Sequence, residues 1–128
     1  MIQPKTFDKV FFIYQYLRDS LIQPAWVGKT DFSFVRAYIA AFKVPFSEDF
    51  LGHIQCADLD KTLSTMCGRL LLERRKIRLN PWMPGGAKAF EWQYALTSYA
   101  PNIISSYQDY FLNLLVRKHK KRIGEIDV

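Results

Sequence analysis

ADLDKTLSTMCGRLLLERRKIRLNPWMPGGAKAFEWQYAL, residues 57–96, changes its hydrophobic period from helical to strand-like within forty residues. With Asp58 as N-cap, Leu59, Leu63, Met66 and Leu70 recur at i, i+4, i+7 and i+11, one narrow apolar stripe of a helix. The side opposite that stripe holds Lys61, Ser64, Thr65, Gly68, Arg69 and Arg75. Short hydrogen-bonding groups, cations and a glycine replace the Glu/Lys mixture of an ordinary solvated face, a composition suited to a nucleic-acid groove. Ile77 and Leu79 then alternate with Arg78 and Asn80, residues 81–86 read as a turn, and Phe90, Trp92, Tyr94 and Leu96 alternate with Glu91, Gln93 and Ala95. That pattern predicts a hairpin with one buried face.

Taken with the preceding segment Phe34 to Gln55, this stretch resembles the winged helix-turn-helix family. Val35–Phe42 matches its first helix, Val44–Phe46 its short first strand and Ser47–Ile54 the helix before the turn. Gln55–Ala57 matches the turn, Asp58–Arg75 the recognition helix and Ile77–Leu96 the wing. Lys76 departs from the pattern, standing where the family usually has Gly. The resemblance implies a mainly α fold with a small β-hairpin, a winged helix-turn-helix core over about residues 31–97 in a single domain spanning 1–128. It also implies a regulator of transcription, or of replication or partition, that binds double-stranded DNA. Lys61, Thr62, Ser64 and Thr65 would then read base edges, Lys61 and Thr65 foremost. Arg69 and Arg75 would meet phosphates, and Arg78 and Lys88 would flank the wing tip at the backbone or minor groove. Gly68 costs about 1 kcal/mol against Ala inside a helix, so either a DNA backbone or a second helix should approach it closely. Trp82 reads either as a clasp holding the wing to the body or as a contact surface.

The charge agrees with a polyanion partner. The net +6, at a pI near 9.4, is divided between residues 58–96, with seven Lys/Arg against four Asp/Glu, and residues 117–128, with five against two. The remainder is balanced at six against six. A chain of 128 residues, 49% hydrophobic and 16% aromatic, has enough apolar material for one core.

Outside the central stretch, Phe7 to Ile22 reads as a helix with Phe7, Val10, Phe11, Tyr14, Leu17 and Leu21 on one face and Phe12, Ile13 and Tyr16 off it. Residues 23–29 form a connector, and Thr30 or Asp31 caps the next helix. A last helix over about 102–121 bears Ile103, Tyr107, Tyr110, Phe111, Leu114 and Lys118 in one stripe, with Leu112 and Val116 on another side. Phe12, Tyr16, Leu112 and Val116 are therefore expected to be covered by a second copy, making a homodimer with a roughly palindromic target.

No catalytic constellation, metal site or cofactor motif is expected. Cys56 and Cys67 have no His at ligand spacing, Asp58 is read as a cap, His53 as structural and His119 as solvated, and Pro84-Gly85-Gly86 lacks the Lys-Ser/Thr and helix of a phosphate loop. No apolar run reaches membrane-spanning length, no leader pattern opens the chain, and unpaired cysteines suit a reducing, cytoplasmic setting. The alternative to DNA is a protein partner, with the winged helix serving as an interaction module or as an inhibitor of a nucleic-acid-binding complex.

Overall fold

The structure, a computed structural model, describes residues 2–29, 31–50, 52–78 and 90–126, the last six by backbone alone. It is a small mixed α/β protein. The order is α1 (Pro4–Arg18), β1 (Val27–Gly28), α2 (Phe32–Phe42), β2 (Ser47–Glu48), β3 (Ile54–Gln55), α3 (Ala57–Gly68), β4 (Leu72–Arg78), β5 (Phe90–Leu96) and α4 (Ala100–Ile126). An antiparallel sheet runs β1-β5-β4, and β2 pairs with β3 in a separate two-stranded hairpin. The connector expected over 23–29 thus supplies an edge strand, with Val27 opposite Tyr94 and Gly28 opposite Gln93.

The aromatic helix α1 is covered by its own chain. Val10, Ile13 and Leu17 are fully buried. On one side Phe7 meets Tyr107 and Phe111 of α4, with ring centroids 5.9 and 5.0 Å apart. On another, Phe12 packs edge-on against Phe42 at 5.4 Å and Tyr38 at 6.3 Å, while Tyr16 lies 5.1 Å from Phe34. Phe12 and Tyr16, expected at a subunit contact, pack on the aromatic residues of α2 and remain half-buried. The helix also stops earlier than read, at Arg18, where the Gln23 amide donates to the carbonyls of Leu17, Arg18 and Ser20 at 2.9–3.0 Å. Leu21 consequently lies fully exposed in the following bend.

Asp31 caps α2 as expected, accepting from the Phe34 N–H at 3.0 Å. The helix expected over Ser47–Ile54 is not formed, and neither is a strand at Val44–Phe46. Instead the Asp49 carboxylate accepts from the His53 N–H at 2.8 Å, the Gly52 N–H donates to the Asp49 carbonyl at 3.0 Å, and Gly52 takes φ +82°. A side-chain acceptor competing for local N–H groups, together with a left-handed residue, closes a hairpin where a helix would need uninterrupted i→i+4 bonds. Phe46 and Phe50 remain exposed, so no apolar stripe seats this segment. His53, placed on a helix by the sequence, lies in this turn with Nδ1 3.1 Å from Asp49.

The helix α3 ends seven residues before Arg75. Leu71 N–H donates to the Met66 carbonyl at 2.9 Å and Leu70 N–H to the Cys67 carbonyl at 3.2 Å, with Leu70 at φ +65°. This is a Schellman closure carrying leucine where glycine is usual. Leu71 and Met66, both fully buried, make its hydrophobic contact, and Thr97 Oγ1 donates to the Leu70 carbonyl at 2.6 Å. The apolar stripe therefore consists of Leu59, Leu63 and Met66, and Leu70 faces solvent. The N-cap is Cys56, with Asp58 in the first turn. Among the described residues, no helix is long and apolar enough to cross a membrane.

Candidate nucleic-acid interface

The inner side of α3 is pinned by a polar cluster. Lys9 Nζ donates to both carboxylate oxygens of Asp58, at 3.0 and 2.8 Å, and the Tyr38 hydroxyl donates to Asp58 Oδ1. Thr62 Oγ1 lies 2.9 Å from the Tyr38 hydroxyl and donates to the Asp58 carbonyl at 3.0 Å. Burial alone would raise the Asp58 pKa, but Lys9 and Tyr38 outweigh it and hold the carboxyl below its usual range. Burial, reinforced by the Asp58 carboxylate, pushes the Tyr38 phenol well above its own. At 5% exposure Thr62 belongs to this cluster. Its assignment as a DNA-reading residue is corrected, since its hydroxyl turns inward to Tyr38, a partner that helical periodicity does not reveal.

The outer side of α3 carries Lys61 and Ser64, both exposed, and half-buried Thr65, whose hydroxyl donates to the Lys61 carbonyl at 3.0 Å. Gly68 completes this side, and a Cβ built there would meet nothing within 4 Å. Among the described residues of this chain, no helix crosses at the glycine. Arg69, at the C-cap, reaches toward α4, with Nη1 3.5 Å from the Tyr107 hydroxyl.

The hairpin sorts its charges by face. Cross-strand pairing places Leu72 opposite Leu96, Arg74 opposite Tyr94, Lys76 opposite Trp92 and Arg78 opposite Phe90. With a strand period of two, all eight share one face, which holds three cations, four large apolar or aromatic partners beyond Leu72 and no carboxylate. Glu73, Arg75, Ile77, Glu91, Gln93 and Ala95 share the other. On the first face the Arg74 guanidinium lies 4.4 Å over the Trp92 ring, and Lys76 Nζ lies 4.4 Å over Phe90 and 5.9 Å over Trp92. On the second, Arg75 lies 4.2 Å over Trp26 and donates twice to Gln93 Oε1, at 3.1 and 2.9 Å. Arg75 is thus a strand residue on the side away from the cation ladder, which corrects its place on the recognition helix. Arg78 ends β4 on the ladder face, while Lys88, Trp82 and the turn 81–86 lie outside the described residues.

The ladder face is continuous with α3. Ser64, Cys67 and Gly68 of α3 and Leu72, Arg74 and Tyr94 of the sheet line an open groove of about 480 Å³. Burial raises the Cys67 thiol pKa against the pull of Arg74, and raises that of the Tyr94 phenol, with Asp60 adding to the rise and Arg74 opposing it. Arg74 is thus a cation of the groove lining, and Asp60 acts on Tyr94 from outside that lining. Comparison with known protein families, characterised proteins and solved structures finds no match. Sequence reasoning missed Arg74, Lys76 and the ring faces of Trp92 and Phe90 as one unit. The signal was present in the alternation Leu72, Arg74, Lys76, Arg78, hidden because the helix expected over Asp58–Arg75 takes in Leu72 and Arg74 and leaves only Ile77 onward to the wing.

The last helix, 27 residues long, outruns the body. Ala100 and Ile104 are buried, and Tyr107, Phe111 and Leu114 half-buried. Leu112, Leu115 and Val116 are 59, 64 and 43% exposed.

Proposed function

We propose that this chain binds double-stranded DNA with the outer side of α3 and the ladder face of β4–β5, as a homodimer acting in control of transcription, replication or partition. The observation that supports it best is the segregation of charge in the hairpin: Arg74, Lys76 and Arg78 stand on the face continuous with Ser64 and Gly68 of α3, and both carboxylates, Glu73 and Glu91, stand on the other with Arg75. Of the winged-helix resemblance only a helix followed by a basic hairpin supports this reading, since β2 and β3 stand where the helix before the turn was expected. In this arrangement α3 supplies short polar groups to base edges, and the ladder cations neutralise phosphates.

Duplex titrations across a salt series test it. Each phosphate contact contributes about −0.9 to the slope of log affinity against log salt, so Arg74→Glu/Lys76→Glu should flatten the slope by about two units. Failure of the wild-type chain to bind any duplex at about 50 mM salt, where a multi-phosphate binder holds, would refute duplex binding. The exposed apolar side of α4 favours a protein contact as well. Leu112, Leu115 and Val116 form the surface on which a second copy would pack, antiparallel helices burying the three together.

A further inference from the structure

We propose that Phe90 and Trp92, on the cation-bearing face of β5, form a stacking platform for unpaired bases, so that the ligand of this surface includes single-stranded nucleic acid, alone or beside a duplex. This rests on the reading above that the surface meets nucleic acid at all. A duplex keeps its base faces stacked inside and offers a protein only groove edges and phosphates, for which cations and short polar groups suffice. The aromatic rings have no task in that contact. Unpaired bases, by contrast, present π-faces to aromatic side chains set in a cationic groove.

Three features of the hairpin fit such a strand. Successive same-face residues on β5 stand about 7 Å apart, so exposed Phe90 and half-buried Trp92 offer two rings in a row along an extended chain of nucleotides, and Tyr94, buried, ends the row at the core. Directly across from each ring is a cation: Arg78 pairs with Phe90, Lys76 with Trp92 and Arg74 with Tyr94. In the free protein Arg74 and Lys76 lie 4.4 Å over Trp92 and Phe90. An arriving base takes the ring face, and the displaced cation turns to the neighbouring phosphate, so each rung serves one nucleotide. The row ends in the groove lined by Ser64, Cys67, Gly68, Leu72, Arg74 and Tyr94, whose 480 Å³ admits a base with hydrogen-bonding groups at its edge. Phe90 is half exposed, with Lys76 Nζ over its ring.

The test compares three labelled probes on the full chain by fluorescence anisotropy: a short oligothymidylate, a blunt duplex, and the same duplex with a single-stranded overhang. Wild-type protein should bind the oligothymidylate and prefer the overhang to the blunt end. Phe90→Leu/Trp92→Leu should weaken oligothymidylate binding by about tenfold per ring lost, or about 1.4 kcal/mol, and change blunt-duplex affinity less than twofold. Phe90→Leu alone, at an exposed position, keeps the test valid should the double variant misfold, and Trp92→Tyr should recover most of the lost affinity because a ring is restored. Duplex binding without oligothymidylate binding, or oligothymidylate binding untouched by Phe90→Leu, would overturn the platform and leave duplex recognition standing. Oligothymidylate binding without duplex binding would do the reverse. A chain that binds none of the three probes would refute both.

Discussion

Replacing Asp58 with Asn removes the charge at the centre of the cluster that seats α3 on α1 and α2. The carboxylate accepts two hydrogen bonds from Lys9 and one from Tyr38, and the side chains of the ion pair are 24 and 30% exposed. That is intermediate between an exposed pair, at about 0–1 kcal/mol, and a fully buried one whose disruption costs about 3–5 kcal/mol. A loss of about 2 kcal/mol at neutral pH is expected in urea unfolding with an unchanged m-value, part of it from the lost negative charge in the first turn of α3. Because the folded pKa of Asp58 is depressed below its ordinary 3.8, its contribution is fully present above that value and is lost as pH falls through the lower, folded pKa. The difference between wild type and Asp58→Asn should therefore shrink as the titration is taken below about pH 4. Tyr38→Phe should cost less, about 1 kcal/mol, because Lys9 keeps its bonds to Asp58 and Thr62 keeps its bond to the Asp58 carbonyl. A double-mutant cycle on Lys9→Met and Asp58→Asn should show coupling of at least about 0.5 kcal/mol. Strict additivity, or an Asp58→Asn deficit identical at pH 3 and pH 7, would refute the claim that the charge, and not the shape of the side chain, holds the helix.

Three further outcomes are expected. Leu70→Gly should raise stability by about 0.5–1 kcal/mol in the same assay, since glycine occupies φ +65° without the Cβ clash and Leu70 is 61% exposed; a fall would mean that the partial packing of this side chain outweighs its strain. Gly68→Ala should leave the free protein as stable or up to about 1 kcal/mol more so, because nothing lies within 4 Å of the new Cβ, while weakening nucleic-acid binding at the groove. Unchanged affinity would show that the ligand does not approach α3 there. Leu112→Glu/Val116→Glu should shift sedimentation at micromolar concentration from dimer to monomer with helicity kept; a wild-type chain already monomeric at that concentration would rule out the α4 contact.

Residues whose role depends on near neighbours were legible before any coordinates. The i, i+4, i+7 spacing of Leu59, Leu63 and Met66 identifies the inner face of α3, the alternation of residues 90–96 identifies β5 to the residue, and Asp31 before an apolar run identifies a cap, because helix and strand periods and capping bonds are local. The basic character of residues 58–96 was equally plain. What distant partners decide was not. Nothing in residues 68–75 says that the helix stops at Gly68: Leu70 takes a left-handed conformation because Leu71 is drawn into the core and Thr97, 27 residues on, bonds its carbonyl. That stop moves Arg74 from a helix to one face of a strand, beside Lys76, and sends Arg75 to the other. Thr62 looks like a groove-facing hydroxyl until Tyr38 arrives from α2, and Phe12 and Tyr16 look unpartnered until the aromatic rings of α2 pack on one side of them. A period specifies which way a side chain points from its own element; what it meets there, and where the element ends, follows from contacts between residues far apart in the chain, and in this protein those contacts built the surface to which function is assigned.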